Sequence, residues 1–154
     1  MLDVLMYLFD HFMESESGWH PVHDQLIQEL EQAGFPGKDI RHALDWIDGL
    51  DSYGQQAMLG SSVALNSVRI FNGYEQQRLD TESRGMLVFL EQEGVLDPAI
   101  REMVMDRLMA FDGSLDVEHV KWAALLVLCS IPGQEAALAW MEDMVFEGRE
   151  LLMQ

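Results

Sequence analysis

The sequence predicts an all-α protein, a helical bundle of about seven helices with an N-terminal three-helix part, a C-terminal four-helix part and at most one small β element. Three observations predict it. Apolar residues recur at three- and four-residue spacing in segment after segment. Glycine and proline fall between those segments, where they stop or start helices. The 154 residues, 49% of them hydrophobic, are enough to bury a core without covalent or metal staples.

Leu2, Leu5, Leu8, Phe9, Phe12 and Met13 share one helical face while Asp3, Asp10 and Glu14 mark the other, which predicts a first helix from Leu2 to Glu14. Ser15 to His20 is a polar loop. Pro21 then opens a second helix with Val22, Leu26, Ile27, Leu30 and Ala33 on one face, closed by Gly34. After the turn Phe35-Pro36-Gly37, a third helix from Lys38 to about Gly49 carries Ile40, Leu44 and Ile47, with Trp46 beside them. Two short helices around such a turn resemble a helix-turn-helix.

Asp51 to Asn66 is rich in glycine, serine and glutamine, so residues 51–66 are expected to link an N-terminal part, 1–50, to a C-terminal part, 67–154. Ser67 to Phe71 alternates polar and apolar residues. That reads as one short strand, the wing of a winged-helix arrangement if the linker supplies its partner.

Asn72-Gly73-Tyr74-Glu75 has the spacing of a capping box and predicts a long helix from Gly73 to about Glu93. Leu79, Met86, Leu87 and Leu90 form its apolar face, and Asp80 and Arg84 form an i, i+4 surface pair. Gly94 can take the left-handed conformation that closes this helix, and Asp97-Pro98 supplies a cap with proline at the first helical position. The next helix, Pro98 to Asp112, places Ile100, Met103, Val104, Leu108 and Phe111 on one stripe and is stopped by Gly113.

Leu115 and Val120 fit a hydrophobic staple around an Asp116 cap. They open a helix through Trp122, Ala123, Ala124, Val127 and Leu128 that is apolar nearly all round, as expected of a central buried element. Ile131-Pro132-Gly133 breaks it. A last helix from Gln134 to about Gly148 packs through Leu138, Met141, Met144 and Val145.

Charge narrows the function. Nine basic residues against 27 acidic ones give −18, spread evenly: residues 1–66 hold 11 acids and 2 bases, residues 67–154 hold 16 and 7. Phosphate neutralisation by Lys and Arg dominates nucleic-acid affinity, so this balance argues against autonomous DNA or RNA binding and suits a protein partner with a basic or mixed-charge surface. A mean hydropathy of −0.02 and the short apolar run from Trp122 to Cys129 predict no membrane span. The N-terminal segment has neither a basic leading stretch nor a small-residue cleavage site, and the single Cys129 reads as a small buried hydrophobe; cytoplasm is the expected compartment.

Catalytic signals are absent. His20 and His23 lie three apart beside Asp24 without a second ligand pair at zinc spacing, so they read as a surface pair, and His11, His42 and His119 are isolated. Paired acids such as Glu91 and Glu93, or Glu142 and Asp143, follow from acid density alone. Ser62, Ser83 and Ser130 lack the strand-turn-helix setting of a nucleophile elbow. Gly54 and Gly60 lack the lysine and spacing of a phosphate loop. No cofactor, metal or catalytic residue is predicted.

The central hairpin's basic residues are the more informative. Arg84, Arg101 and Arg107 sit among Glu82, Glu91, Glu102 and Asp106, which predicts an inter-helix ion-pair network or, alternatively, a partner-binding spot with arginine at its centre. Met103, Met105 and Met109 fit either core or an adaptable surface. A nucleic-acid alternative would use Lys38, Arg41 and Arg69, although Asp39, Asp45, Asp48 and Asp51 outnumber them.

Phe89-Leu90-Glu91-Gln92, Gly94-Val95-Leu96, Arg101-Glu102, Asp106-Arg107-Leu108-Met109-Ala110, Lys121-Trp122 and Pro132-Gly133 resemble the pattern of the Smg family of bacterial proteins. Ala33-Gly34-Phe35, Ala43-Leu44-Asp45-Trp46 and Arg69-Ile70-Phe71 extend the resemblance over the whole chain. It implies a cytosolic bacterial protein whose relatives are encoded near DNA-processing and topoisomerase-related genes or near formylation and deformylation genes of translation, and it carries over no catalytic residue. The expectation is a non-enzymatic interaction module or adaptor, with an accessory role in DNA processing or another nucleic-acid transaction, through a winged-helix-like N-terminal part, as the alternative.

Overall fold

In the computed structural model, which describes residues 2–12, 23–58, 71–131 and 133–153, eight helices follow one another: α1 (Leu2–Phe12), α2 (His23–Gln32), α3 (Gly37–Met58), α4 (Gly73–Arg78), α5 (Thr81–Gln92), α6 (Pro98–Met109), α7 (Val117–Ser130) and α8 (Glu135–Met153). The fold class is all-α. Among the described residues the sole β feature is one parallel bridge between Leu79 and Leu115. The chain divides into two units, Met1–Asp48 and Gly49–Gln154, and the division falls within α3.

In the first unit the predicted faces are largely buried, although Leu2 and Ile27 are half-buried and Ala33 at the end of α2 is exposed. Val4, Leu5, Leu8 and Phe9 of α1, Leu26 and Leu30 of α2, and Ile40, Ala43, Leu44, Trp46 and Ile47 of α3 are all buried. The α2 end is closed by Gly34 at φ +97°, with the Phe35 N–H donating to the Leu30 carbonyl at 3.2 Å. Phe35 then meets Tyr7 edge-on, with ring centroids 5.4 Å apart.

α3 does not stop at Gly49 as the spacing predicts; it continues to Met58. A glycine inside a helix costs stability but does not forbid the conformation, and no proline or cap interrupts residues 49–58. Residues 51–58 of the predicted linker are thus helical. Residues 59–66, and the predicted strand residues 67–70 with Arg69, lie outside the described residues, as do Glu14 and Pro21 at the predicted edges of α1 and α2.

The second unit is built around α7, which packs against α5, α6 and α8. Trp122 through Leu128 are buried without interruption, and Trp122 is fully enclosed. Each large apolar side chain hidden this way contributes about 1.5–3 kcal/mol, so α7 is where packing concentrates. Leu115 and Val120 are buried on either side of the Asp116 cap, as a staple requires.

The long helix expected from Gly73 to Glu93 is two helices. Leu79 has extended backbone, φ −103° and ψ 126°, and Asp80 is the N-cap of α5, accepting from the Ser83 N–H at 2.7 Å. Asp80 therefore serves the backbone as a cap, where an i, i+4 pair with Arg84 was expected. The cause is tertiary: the Leu115 N–H donates to the Arg78 carbonyl at 2.9 Å, which pulls the chain out of helix where Leu79 is buried. The rest of the local chemistry follows the sequence. Glu75 N–H donates to Asn72 Oδ1 at 2.8 Å and Asn72 N–H to Glu75 Oε1 at 3.0 Å, completing the capping box. Gly94 sits at φ +77°, and Asp97 caps α6 by accepting from the Ile100 N–H at 2.8 Å.

Candidate functional site

A chain with nine basic residues reveals its function partly by how it spends them. Arg101 projects from α6 back onto α5, where Nη1 donates to Glu91 Oε1 at 2.7 Å and Nη2 to Glu102 Oε1 at 3.1 Å. Its side chain is 5% exposed, and burial works against its charge, but the two carboxylates outweigh that cost and raise its pKa. Arg101 makes an inter-helix ion pair of the kind the sequence predicts for a network of all three arginines. Arg107 pairs with Asp106 at 3.0 Å with 15% of its side chain exposed, and Arg84, half-buried, reaches Thr81 Oγ1 at 3.3 Å. The three arginines thus do not share a partner among these contacts, and of them the Arg101–Glu91 pair joins α5 to α6.

A fourth arginine, Arg78, which the sequence does not single out, reaches several backbone carbonyls. Arg78 at the end of α4 donates Nε to the Gly113 carbonyl at 2.6 Å, Nη1 to the Met109 carbonyl at 3.4 Å and to Tyr74 Oη at 2.8 Å, and Nη2 to the Phe111 carbonyl. It neutralises the open carbonyl end of α6, and it ends that helix at Met109 where the periodicity carries it to Asp112. The signal was non-local, since these partners lie more than thirty residues on.

Lys38 and Arg41 are exposed on α3, but exposed Asp45 and Asp48 follow on the same helix, so that surface is not cationic. Arg69, the third residue of the nucleic-acid alternative, lies outside the described residues.

The outer surface of the second unit carries the feature that periodicity hides. Val88 and Phe89 of α5 are 42% and 40% exposed, and the Phe89 ring lies 6.1 Å from that of Trp140 on α8, tilted by 43°. Both residues fall off the Leu87 and Leu90 stripe that faces inward, which is the signal that could have found them.

Titratable groups here serve structure. The Asp80 carboxyl is held below its ordinary value by Ser83, whose backbone N–H donates to it. Burial pushes that of Asp116 up, but hydrogen bonds to His119 dominate and lower it. His119 Nδ1 lies 2.8 Å from Asp116 Oδ1, so this histidine belongs to a helix cap. Burial, with the nearby Glu142 charge, pushes the Cys129 thiol up to about 12. Ser83 is buried in the first turn of α5, and the Ser130 hydroxyl donates to the Leu126 carbonyl at 2.9 Å. Among the described residues no three His, Cys, Asp or Glu side chains gather where they could hold a metal. His20 and the side chains of His11 and His23 lie outside them. No helix of the described residues is long and apolar enough to cross a membrane.

Comparison with known proteins places the chain. The family profile described as "Protein of unknown function (DUF494)" matches residues 1–153. The "Protein Smg homolog" of Nitrosococcus oceani is 49% identical over 148 residues, covering 96% of this chain and 93% of the relative. The chain belongs to the Smg family. Smg homologs of Alkalilimnicola ehrlichii and Thioalkalivibrio sulfidiphilus, 46% and 42% identical, cover 96% of this chain and 93% of their own length. No solved structure matches this Smg family member.

Proposed function

We propose that this Smg family member is a non-enzymatic cytoplasmic interaction module, an adaptor that docks on a protein partner with a basic or mixed-charge surface. One observation carries the reading: among the described residues, two cations of the second unit are committed to partners within the fold. Arg101 is buried on Glu91 and Glu102, and Arg78 is committed to the carbonyls of Met109, Phe111 and Gly113. Neither cation is free to oppose the chain's net charge of −18, and an acidic protein attracts basic partners and repels phosphate. Arg84 and Arg107, which keep part of their surface, are the cationic contacts the hairpin adds to such an interface, while Arg101 acts from within by fixing α5 to α6.

The test is affinity capture of the tagged full chain at native expression level, in low and high salt, with bound protein and nucleic acid assayed together. A stoichiometric basic protein, retained at low salt and shed at high salt, supports the module. Recovery of no specific protein removes it, and recovery that nuclease abolishes transfers the function to Lys38, Arg41 and Arg69.

A further inference from the structure

Gly85 lies in the middle of α5, exposed, and a Cβ added there would meet nothing within 4 Å. Its backbone is ordinary, since the glycines with positive φ among the described residues are Gly34, Gly94, Gly113 and Gly133. Glycine weakens a helix relative to alanine, and here neither dihedral nor internal packing asks for it. One turn further along the same face stands Phe89, 40% exposed, with Val88 beside it. On α8, exposed Ala136 and Ala139 lead to Trp140 and its contact with Phe89. Small residues thus precede an aromatic pair on each of two helices that both pack on α7.

Charge decides what covers this surface. The segments Thr81 to Glu93 and Glu135 to Phe146 contain six acidic residues and one basic residue, Arg84. Glu82, Glu93, Glu135 and Asp143 are exposed around the apolar centre. A second copy would bring another −18 against it. Because helices satisfy their own backbone groups, this surface offers side chains and no strand edge, which favours an occupant that satisfies its own backbone, as a helix does.

We propose that the outer face of α5 and α8, centred on Phe89 and Trp140, docks a basic amphipathic helix of a partner protein. The helix lays its apolar stripe on Val88, Phe89 and Trp140, passes close over Gly85, and sets Lys and Arg against the acidic rim. This rests on the interaction-module reading and gives it a place and a partner chemistry.

The test uses the full chain and a synthetic 18-residue helical peptide with leucines at i, i+3 and i+4 and lysines elsewhere, against a scrambled peptide of the same composition. Saturable one-to-one binding of the amphipathic peptide is expected, weakened at least tenfold by Phe89→Asp. Gly85→Gln provides the sharper variant: it is expected to raise Tm while weakening the peptide about as much, which a merely structural glycine does not do. Equal binding of the scrambled peptide, or unchanged affinity in both variants, overturns the proposal. So does self-association of the wild type that Phe89→Asp abolishes, because the occupant is then a second copy. In the capture experiment, a partner retained equally by wild type, Phe89→Asp and Gly85→Gln sinks this site and leaves the module standing, whereas an empty wild-type capture sinks the module itself.

Discussion

α7 and the outer face of α5 belong to one unit and illustrate two ways a helix uses apolar residues. In α7 every large side chain from Trp122 to Leu128 is enclosed, so the fold accounts for each of them. In α5, Leu87 and Leu90 are enclosed in the same way, but Val88 and Phe89 are half-exposed, one turn from a glycine where an added Cβ would meet nothing. Residues explained by packing report on stability. Residues that packing leaves unexplained are where function is to be sought.

The comparison can be broken by mutation. Trp122→Ala, which empties the fully buried site in α7, should cost about 3–5 kcal/mol and abolish a cooperative thermal transition, whereas Phe89→Ala should cost about 1 kcal/mol for a half-exposed ring; similar losses would erase the distinction. Arg101→Ala should cost about 2 kcal/mol in urea unfolding, less than for a fully buried pair because Glu91 and Glu102 are 28% and 40% exposed and regain water. Gly85→Ala should go the other way and stabilise by about 1 kcal/mol; a loss of stability would mean that the glycine serves the fold after all.

The smallest effect is acidic. Asp80 and Asp116 have lowered folded-state values, so their contribution is complete at neutral pH and is lost as pH falls below about 3.8 toward those values. Asp116→Asn keeps a competent cap without the charge. It should flatten the decline in urea midpoint between pH 5 and 3, and an unchanged decline would remove the Asp116 contribution.

The sequence makes legible what its near neighbours decide. Asn72 with Glu75, Asp97 with Pro98, Gly94 and the Leu115 to Val120 staple are each written within five residues, and each forms as read. The break at Leu79 is invisible locally, since Asp80 looks like a mid-helix acid until Leu115 and Arg78 meet across the fold. The run of α3 beyond Gly49 is the reverse case, in which two glycines suggest a stop that nothing enforces. The surface residues are harder still. An exposed phenylalanine on a helix resembles a core one unless its place is checked against the stripe, and Phe89 lies off the predicted Leu87 and Leu90 stripe that is buried.

Arg78 also sets an order of assembly. α4 has six residues, too few to persist as an isolated helix, and its anchors include the carbonyls at the end of α6 and the bridge from Leu79 to Leu115. Closing that loop requires α5 and α6 to be in place already, whereas the α5–α6 hairpin needs contacts only ten residues apart. α4 is therefore expected to join after the α5–α6 hairpin and to open before α7. In native-state hydrogen exchange its amides should open before those of α7 and independently of them, and substituting Arg78 should release α4 while leaving the α7 core protected.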